Sequence, residues 1–133
     1  MIVTRPRDTG IATATCTALE AVGDLVYISA AKTGADYTVR KVDITDFTKM
    51  PAVAVVIYKL SPTRAVIQFQ GETGLFTGLS PGRVYWVSDA GVPTLAPPTV
   101  ILGERKYWQS VGVATDSGRI RLEFEKDLKT RVG

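Results

Sequence analysis

Short runs of β-branched and aromatic residues recur along this chain between Gly, Pro, Asp and Ser, and no window longer than about ten residues holds a 3.6-residue apolar period. Such a pattern confines the chain to β architecture. In residues 119–126, Ile120, Leu122 and Phe124 alternate with Arg119, Arg121, Glu123 and Glu125; in residues 63–70, Ala65, Ile67 and Phe69 alternate with Arg64, Gln68 and Gln70. A period of two places one set against a core and the other in water. Residues 52–58 are apolar without alternation, which reads as a strand covered on both faces. Further strands are expected at residues 24–30, 37–42, 84–88, 92–95 and 107–114, with Pro93 placing its strand at an edge. Residues 43–51 read as a short helical turn or loop closed by Pro51. Ser80-Pro-Gly-Arg83 suits a type II turn, residues 89–91 a hairpin loop and residues 115–118 a tight turn.

With 133 residues, 45% of them hydrophobic, the chain can bury a core without disulfide or metal staples. The expected fold is all-β: a single compact β-barrel or β-sandwich domain with an extended N-terminal arm. The arm is expected over residues 1–18, the barrel or sandwich over residues 19–126 and a polar C-terminal tail over residues 127–133. The arm reading rests on the Thr, Ala and Arg content of the first seventeen residues, which hold almost no large apolar side chain after Ile11. An extended segment of that kind adds to a partner's sheet edge, with Arg5, Arg7 and Ile11 as the partner-binding residues.

The chain has no histidine, so the commonest general acid/base and the commonest transition-metal ligand are both missing. The single cysteine, Cys16, sits among Thr and Ala and reads as a small buried hydrophobe, not a nucleophile. Residues 71–78 are glycine-rich but lack the Lys-Ser/Thr ending of a phosphate loop and lead into a Pro-Gly turn instead of a helix. The carboxylate pairs Asp43/Asp46, Glu123/Glu125 and Asp116/Asp127 read as solvated surface groups, since Glu123 and Glu125 share the wet face of their strand. These features predict a non-enzymatic protein with no cofactor and no metal. The net charge is +3, but the basic residues are scattered and form no run of five, so no specific nucleic acid is expected as a partner. No signal-peptide pattern opens the chain and residues 52–58 are too few to span a bilayer, so no membrane partner is expected either.

Two aromatic pairs remain, Tyr85/Trp86 and Tyr107/Trp108. Consecutive strand residues point to opposite faces, so each pair should send one ring inward and one outward. The outward rings would suit a subunit interface, and base stacking is the competing use of such rings.

Five stretches, Val22-Gly-Asp-Leu-Val-Tyr, Val39-Arg-Lys-Val-Asp, Pro51-Ala-Val-Ala-Val-Val, Gly78-Leu-Ser-Pro-Gly-Arg-Val-Tyr-Trp-Val-Ser-Asp and Gln109-Ser-Val-Gly-Val-Ala-Thr-Asp, resemble small virion proteins of tailed bacteriophages, of the head decoration (cement) type. The resemblance runs from about residue 17 to about residue 124. It implies a structural protein that binds the outer surface of a phage capsid and stabilises it, with the major capsid protein as partner and self-association as a homotrimer. It places the protein in the virion, on the head surface, after assembly in the host bacterial cytoplasm. The alternative implied by the same style of sequence is a tail fibre, spike or baseplate β domain, followed by a β-barrel nucleic-acid-binding protein.

Overall fold

The computed structural model describes residues 10–133. Its strands are β1 (Ile11–Thr15), β2 (Leu25–Thr33), β3 (Asp36–Lys41), β4 (Ala54–Ser61), β5 (Arg64–Gln68), β6 (Gly71–Thr73), β7 (Val84–Val87), β8 (Pro93–Thr94), β9 (Arg105–Trp108), β10 (Ser110–Asp116), β11 (Arg119–Leu122) and β12 (Lys129–Val132). A 3-10 turn, Phe47–Lys49, lies between β3 and β4, within the stretch expected to be a helical turn or loop. The all-β expectation holds.

The strands fall into three pairing groups. β1 pairs with β3 in parallel and with β5 in antiparallel fashion, and the order β1-β3-β2-β4-β5 makes these five a ring of pairings. A second, five-stranded sheet has the order β6-β11-β10-β7-β8, and β9 pairs with β12 alone. Two hydrophobic clusters result. Val26, Val39, Ala54, Val56, Ala65 and Ile67 are buried within the ring; Leu25, Val55, Val87, Val111, Ile120 and Leu122 are buried where the ring meets the second sheet.

The register explains why β2 and β4 serve both clusters. Leu25 stands opposite Val55 and Val26 opposite Ala54, so successive cross-strand pairs point to opposite faces and each face meets its own cluster. The apolar run of β4 is therefore covered on both sides from Ala54 to Val56, whereas Tyr58, at its end, is 59% exposed. Alternation also holds in β11, where Ile120 and Leu122 are buried and Arg119 and Arg121 exposed. The type II turn forms as expected: Gly82 has φ 81° and Arg83 N–H donates to Ser80 O at 3.2 Å.

Three expectations are corrected. Residues 11–15 of the expected arm form β1, a strand inside the ring, and Ala14 and Cys16 are buried in its cluster. The buried Cys16 fits its reading as a core residue. Thr and Ala suffice for this strand because both of its edges are hydrogen-bonded, to β3 and to β5. Second, the expected polar tail forms β12, whose Lys129, Thr130, Arg131 and Val132 pair with Trp108, Tyr107, Lys106 and Arg105. Third, Gln68 is buried, not wet: its Nε2 donates to Gln70 O at 3.0 Å and Glu72 O at 2.9 Å, holding the bend between β5 and β6. Arg5 and Arg7 lie outside the described residues.

Buried polar side chains tie the loops to these sheets. Glu20 Oε1 accepts from Thr17 N–H and Thr17 Oγ1–H, both at 2.7 Å, and Oε2 accepts from Lys41 N–H at 3.2 Å, joining the β1–β2 loop to β3. Burial pushes the Glu20 carboxyl up, but the hydrogen bonds from Thr17 and Lys41 and the charge of Arg40 outweigh it and hold the carboxyl below its ordinary value of 4.5. A group lowered in this way stabilises the fold above its unfolded value and loses that contribution as pH falls through the folded one. Glu20→Gln should therefore cost about 1–2 kcal/mol in urea denaturation at pH 7. The gap between variant and wild type should narrow as the pH is taken below 4.5. A gap of constant size down to pH 3 would exclude the charged form of Glu20 as its source.

Candidate interaction surface

The outer face of the second sheet follows from the alternation in β7. Tyr85 and Val87 turn inward and are buried, and the Tyr85 hydroxyl oxygen accepts from Ser80 N–H at 2.9 Å. Val84 and Trp86 turn outward. On β10, Val113 stands opposite Val84, so the two share the outer face. An irregularity between Ser110 and Gly112 keeps Trp86 opposite Ser110. Gly112 has no room for a side chain there, since a Cβ would overlap the carbonyl of Arg121 on the neighbouring strand.

Leu95, Ala96 and Pro97 extend this face beyond β8. With Gly82, Arg83, Val84 and Trp86 they line an open depression of 510 Å³. Val84, Leu95 and Val113 are 41%, 40% and 39% exposed, an apolar group on a sheet face that β-sheet packing leaves uncovered within the chain. Lys106 fixes the far side of the depression. Its buried ammonium donates to Thr99 O at 2.8 Å and pairs with Asp89 at 2.9 Å and Glu104 at 3.7 Å, tying the 96–104 loop to the turn between β7 and β8. The Asp89 hydrogen bond holds this ammonium above its ordinary range.

Trp108 joins the surface from β9. Its ring meets that of Trp86 edge to face, centroids 6.1 Å apart at 62°, and the Arg131 guanidinium from β12 lies 4.7 Å from its centroid. The Trp108 Nε1–H is buried without a hydrogen-bond partner. Arg83 and Arg121 are exposed beside Val84 and Val113 and, among the described residues, form no ion pair. The surface is therefore an apolar and indole centre flanked by three guanidinium groups.

No known protein family, curated protein or solved structure matches the chain.

The four aromatics expected at an interface are divided by the fold. Trp86 and Trp108 come together, whereas Tyr85 is a core residue and is removed from the surface. Tyr107, on the other side of β9 from Trp108, packs its ring against Phe47 with centroids 5.5 Å apart. Ile11 is 43% exposed but sits in β1 opposite Gln68, as part of the ring and not of an arm. Arg83, Leu95, Val113 and Arg131 were not singled out from sequence. The Val84-x-Trp86 alternation was the available signal for part of this set; Arg131 carried none, because its partner strand is 23 residues away.

The carboxylates considered as a catalytic pair have local tasks. Asp43 accepts from Thr45, Asp46 from Thr48, and Asp116 from Gly118 N–H, each closing a turn. Glu125 accepts from Ser110 N–H at 3.2 Å. Thr48's hydroxyl and N–H hold the Asp46 carboxyl below its usual range, as expected of a turn-closing carboxylate. Among the described residues no three His, Cys, Asp or Glu side chains gather where they could hold a metal ion, and no helix is long and apolar enough to cross a membrane.

Proposed function

We propose that this chain is a non-enzymatic structural protein that docks on a larger assembly through the Trp86–Trp108 face. The resemblance of its sequence to head decoration proteins points to the surface of a phage capsid. The observation that carries the reading is the exposed group Val84, Leu95 and Val113 around two indoles in edge-to-face contact, with Arg83, Arg121 and Arg131 at its edge. Aromatic and arginine side chains dominate the energetics of protein interfaces, and an apolar centre with a charged rim is the usual anatomy of one. The arginines select a partner surface that is acidic around an apolar patch. A shell of capsid subunits offers such a surface many times over, and homotrimeric association would present several copies of the face to it at once.

The test is co-sedimentation with expanded capsids. Trp86→Ala should weaken binding about thirty-fold or more, the effect of losing a central anchor worth ~2 kcal/mol. Lys49→Ala, remote from this face, should bind as the wild type does. Equal binding by the Trp86→Ala and Lys49→Ala proteins would remove this face from the proposal, and failure of the wild type to sediment with capsids would remove the capsid.

A further inference from the structure

The loop from β8 to β9 lines the depression beside Trp86 with Leu95, Ala96 and Pro97 and then runs out to a turn at residues 101–104. Glu104 N–H donates to Ile101 O at 3.0 Å, and Gly103, third in the turn, has a φ of 87°, a left-handed value that glycine adopts without strain. Two large aliphatic side chains occupy this turn, where Gly, Pro, Asn, Asp or Ser is the ordinary choice. Ile101 is exposed, and Leu102, at 92%, is the most exposed large hydrophobic residue among the described residues.

The turn is held from several sides. Glu104 Oε1 accepts from Ile101 N–H at 2.9 Å, and Glu104 O accepts from Gly133 N–H at 2.9 Å. At Gly133 a Cβ would overlap the Ile101 carbonyl, so the chain that follows β12 lies directly against the turn. On the other flank the Lys106 ammonium donates to Thr99 O at 2.8 Å and lies 3.7 Å from Glu104. The one charged side chain of the turn is thereby drawn back onto the loop, and what projects is aliphatic. An apolar tip that is ordered in advance gives up little conformational freedom on docking, so most of the gain from burying it is kept as affinity.

We propose that Ile101 and Leu102 form a second anchor of the docking surface and enter an apolar recess of the partner, next to the patch that receives Trp86. The proposal rests on the reading of the Trp86–Trp108 face as the site of docking and adds to it the shape of the partner: an acidic surface indented by at least the depth of a leucine side chain. A second copy meeting the same face through a two-fold contact is disfavoured, because Arg83, Arg121 and Arg131 would stand against their own equivalents. An acidic partner brings no such conflict.

Co-sedimentation with expanded capsids tests this in full-chain variants whose folding is not at risk, since the altered side chain is exposed. Leu102→Asp should weaken binding at least about tenfold, because it removes an apolar contact and sets a carboxylate against an acidic rim. Leu102→Met should stay within about threefold of wild type, and both variants should keep the wild-type thermal midpoint. Wild-type binding by Leu102→Asp, with Trp86→Ala still weak, would overturn the anchor and leave the Trp86 face in place. Failure of the wild type to sediment would remove the docking reading and the anchor with it. Light scattering supplies the other check: Leu102→Asp should have the mass of the wild type in solution. A lower mass would assign the tip to a contact between copies, and the proposal would fall.

Discussion

Removal of residues 11–16 is expected to abolish cooperative folding, in contrast to removal of residues 2–9. The strand β1 runs beside β5 from Ile11↔Gln68 to Thr15↔Arg64 and touches β3 through Ala14↔Tyr37 and Thr15↔Thr38. Without it, β3 and β5 become open edges, and Val39, Ala65 and Ile67 lose the Ala14 and Cys16 that cover them. Each lost ladder hydrogen bond costs about 0.5–1.5 kcal/mol net, and the uncovered apolar groups add more, against a total stability of about 5–15 kcal/mol for a domain of ordinary size. The expected result is a thermal trace without a sigmoidal transition and strong binding of an apolar dye. The chain lacking residues 2–9 keeps every pair of the β1 ladder and should melt cooperatively. A 11–16 deletion that melts within a few degrees of full length would show that the ring does not depend on β1.

Gln109→Leu is expected to be the most damaging single substitution in the core, at about 3–5 kcal/mol. The Gln109 side chain is fully buried and behaves as an added strand residue: Oε1 accepts from Ala52 N–H at 2.7 Å, and Nε2 donates to Ala52 O at 2.7 Å and to Glu125 O at 2.9 Å. Its carboxamide thereby joins the segment entering β4 to the segment that follows β11. Leucine is close in size but leaves the N–H and carbonyl of Ala52 buried without partners, and each such group costs ~1–3 kcal/mol. Gln109→Glu keeps the acceptor but has no donor for either carbonyl and buries a charge, so it should be at least as harmful at pH 7. The midpoint of urea denaturation at constant m-value measures both. A Gln109→Leu protein within 1 kcal/mol of wild type would mean that water replaces the amide.

The same residue shows why sequence reading misplaced one boundary. Residues 107–114 have the composition of one continuous strand, yet β9 ends at Trp108 and β10 starts at Ser110. Local composition carries no information about the demand from Ala52, 57 residues away, that the Gln109 side chain turn into the core. Lys106 and Glu20 are of the same kind. Both belong to residue types that are exposed by default, and both are buried here because several backbone and side-chain groups converge on them from elsewhere in the chain.

What the sequence determined by itself is everything with a local cause. The alternation of Ile120 and Leu122 with charged neighbours, the doubly covered Ala54–Val56 of β4 and the Pro81-Gly82 turn follow from the two-residue period of a strand and from backbone sterics. Partnership was decided by the tertiary structure. Ile11–Thr15 became a strand of the ring only because β3 and β5 present edges to it, and Lys129–Val132 only because β9 does. The meeting of Trp86, Trp108 and Arg131 belongs to the same level, since three strands from two pairing groups place them together. A hydrogen-bonded edge satisfies whatever backbone reaches it almost regardless of side chain, so strands poor in apolar residues leave no trace in composition.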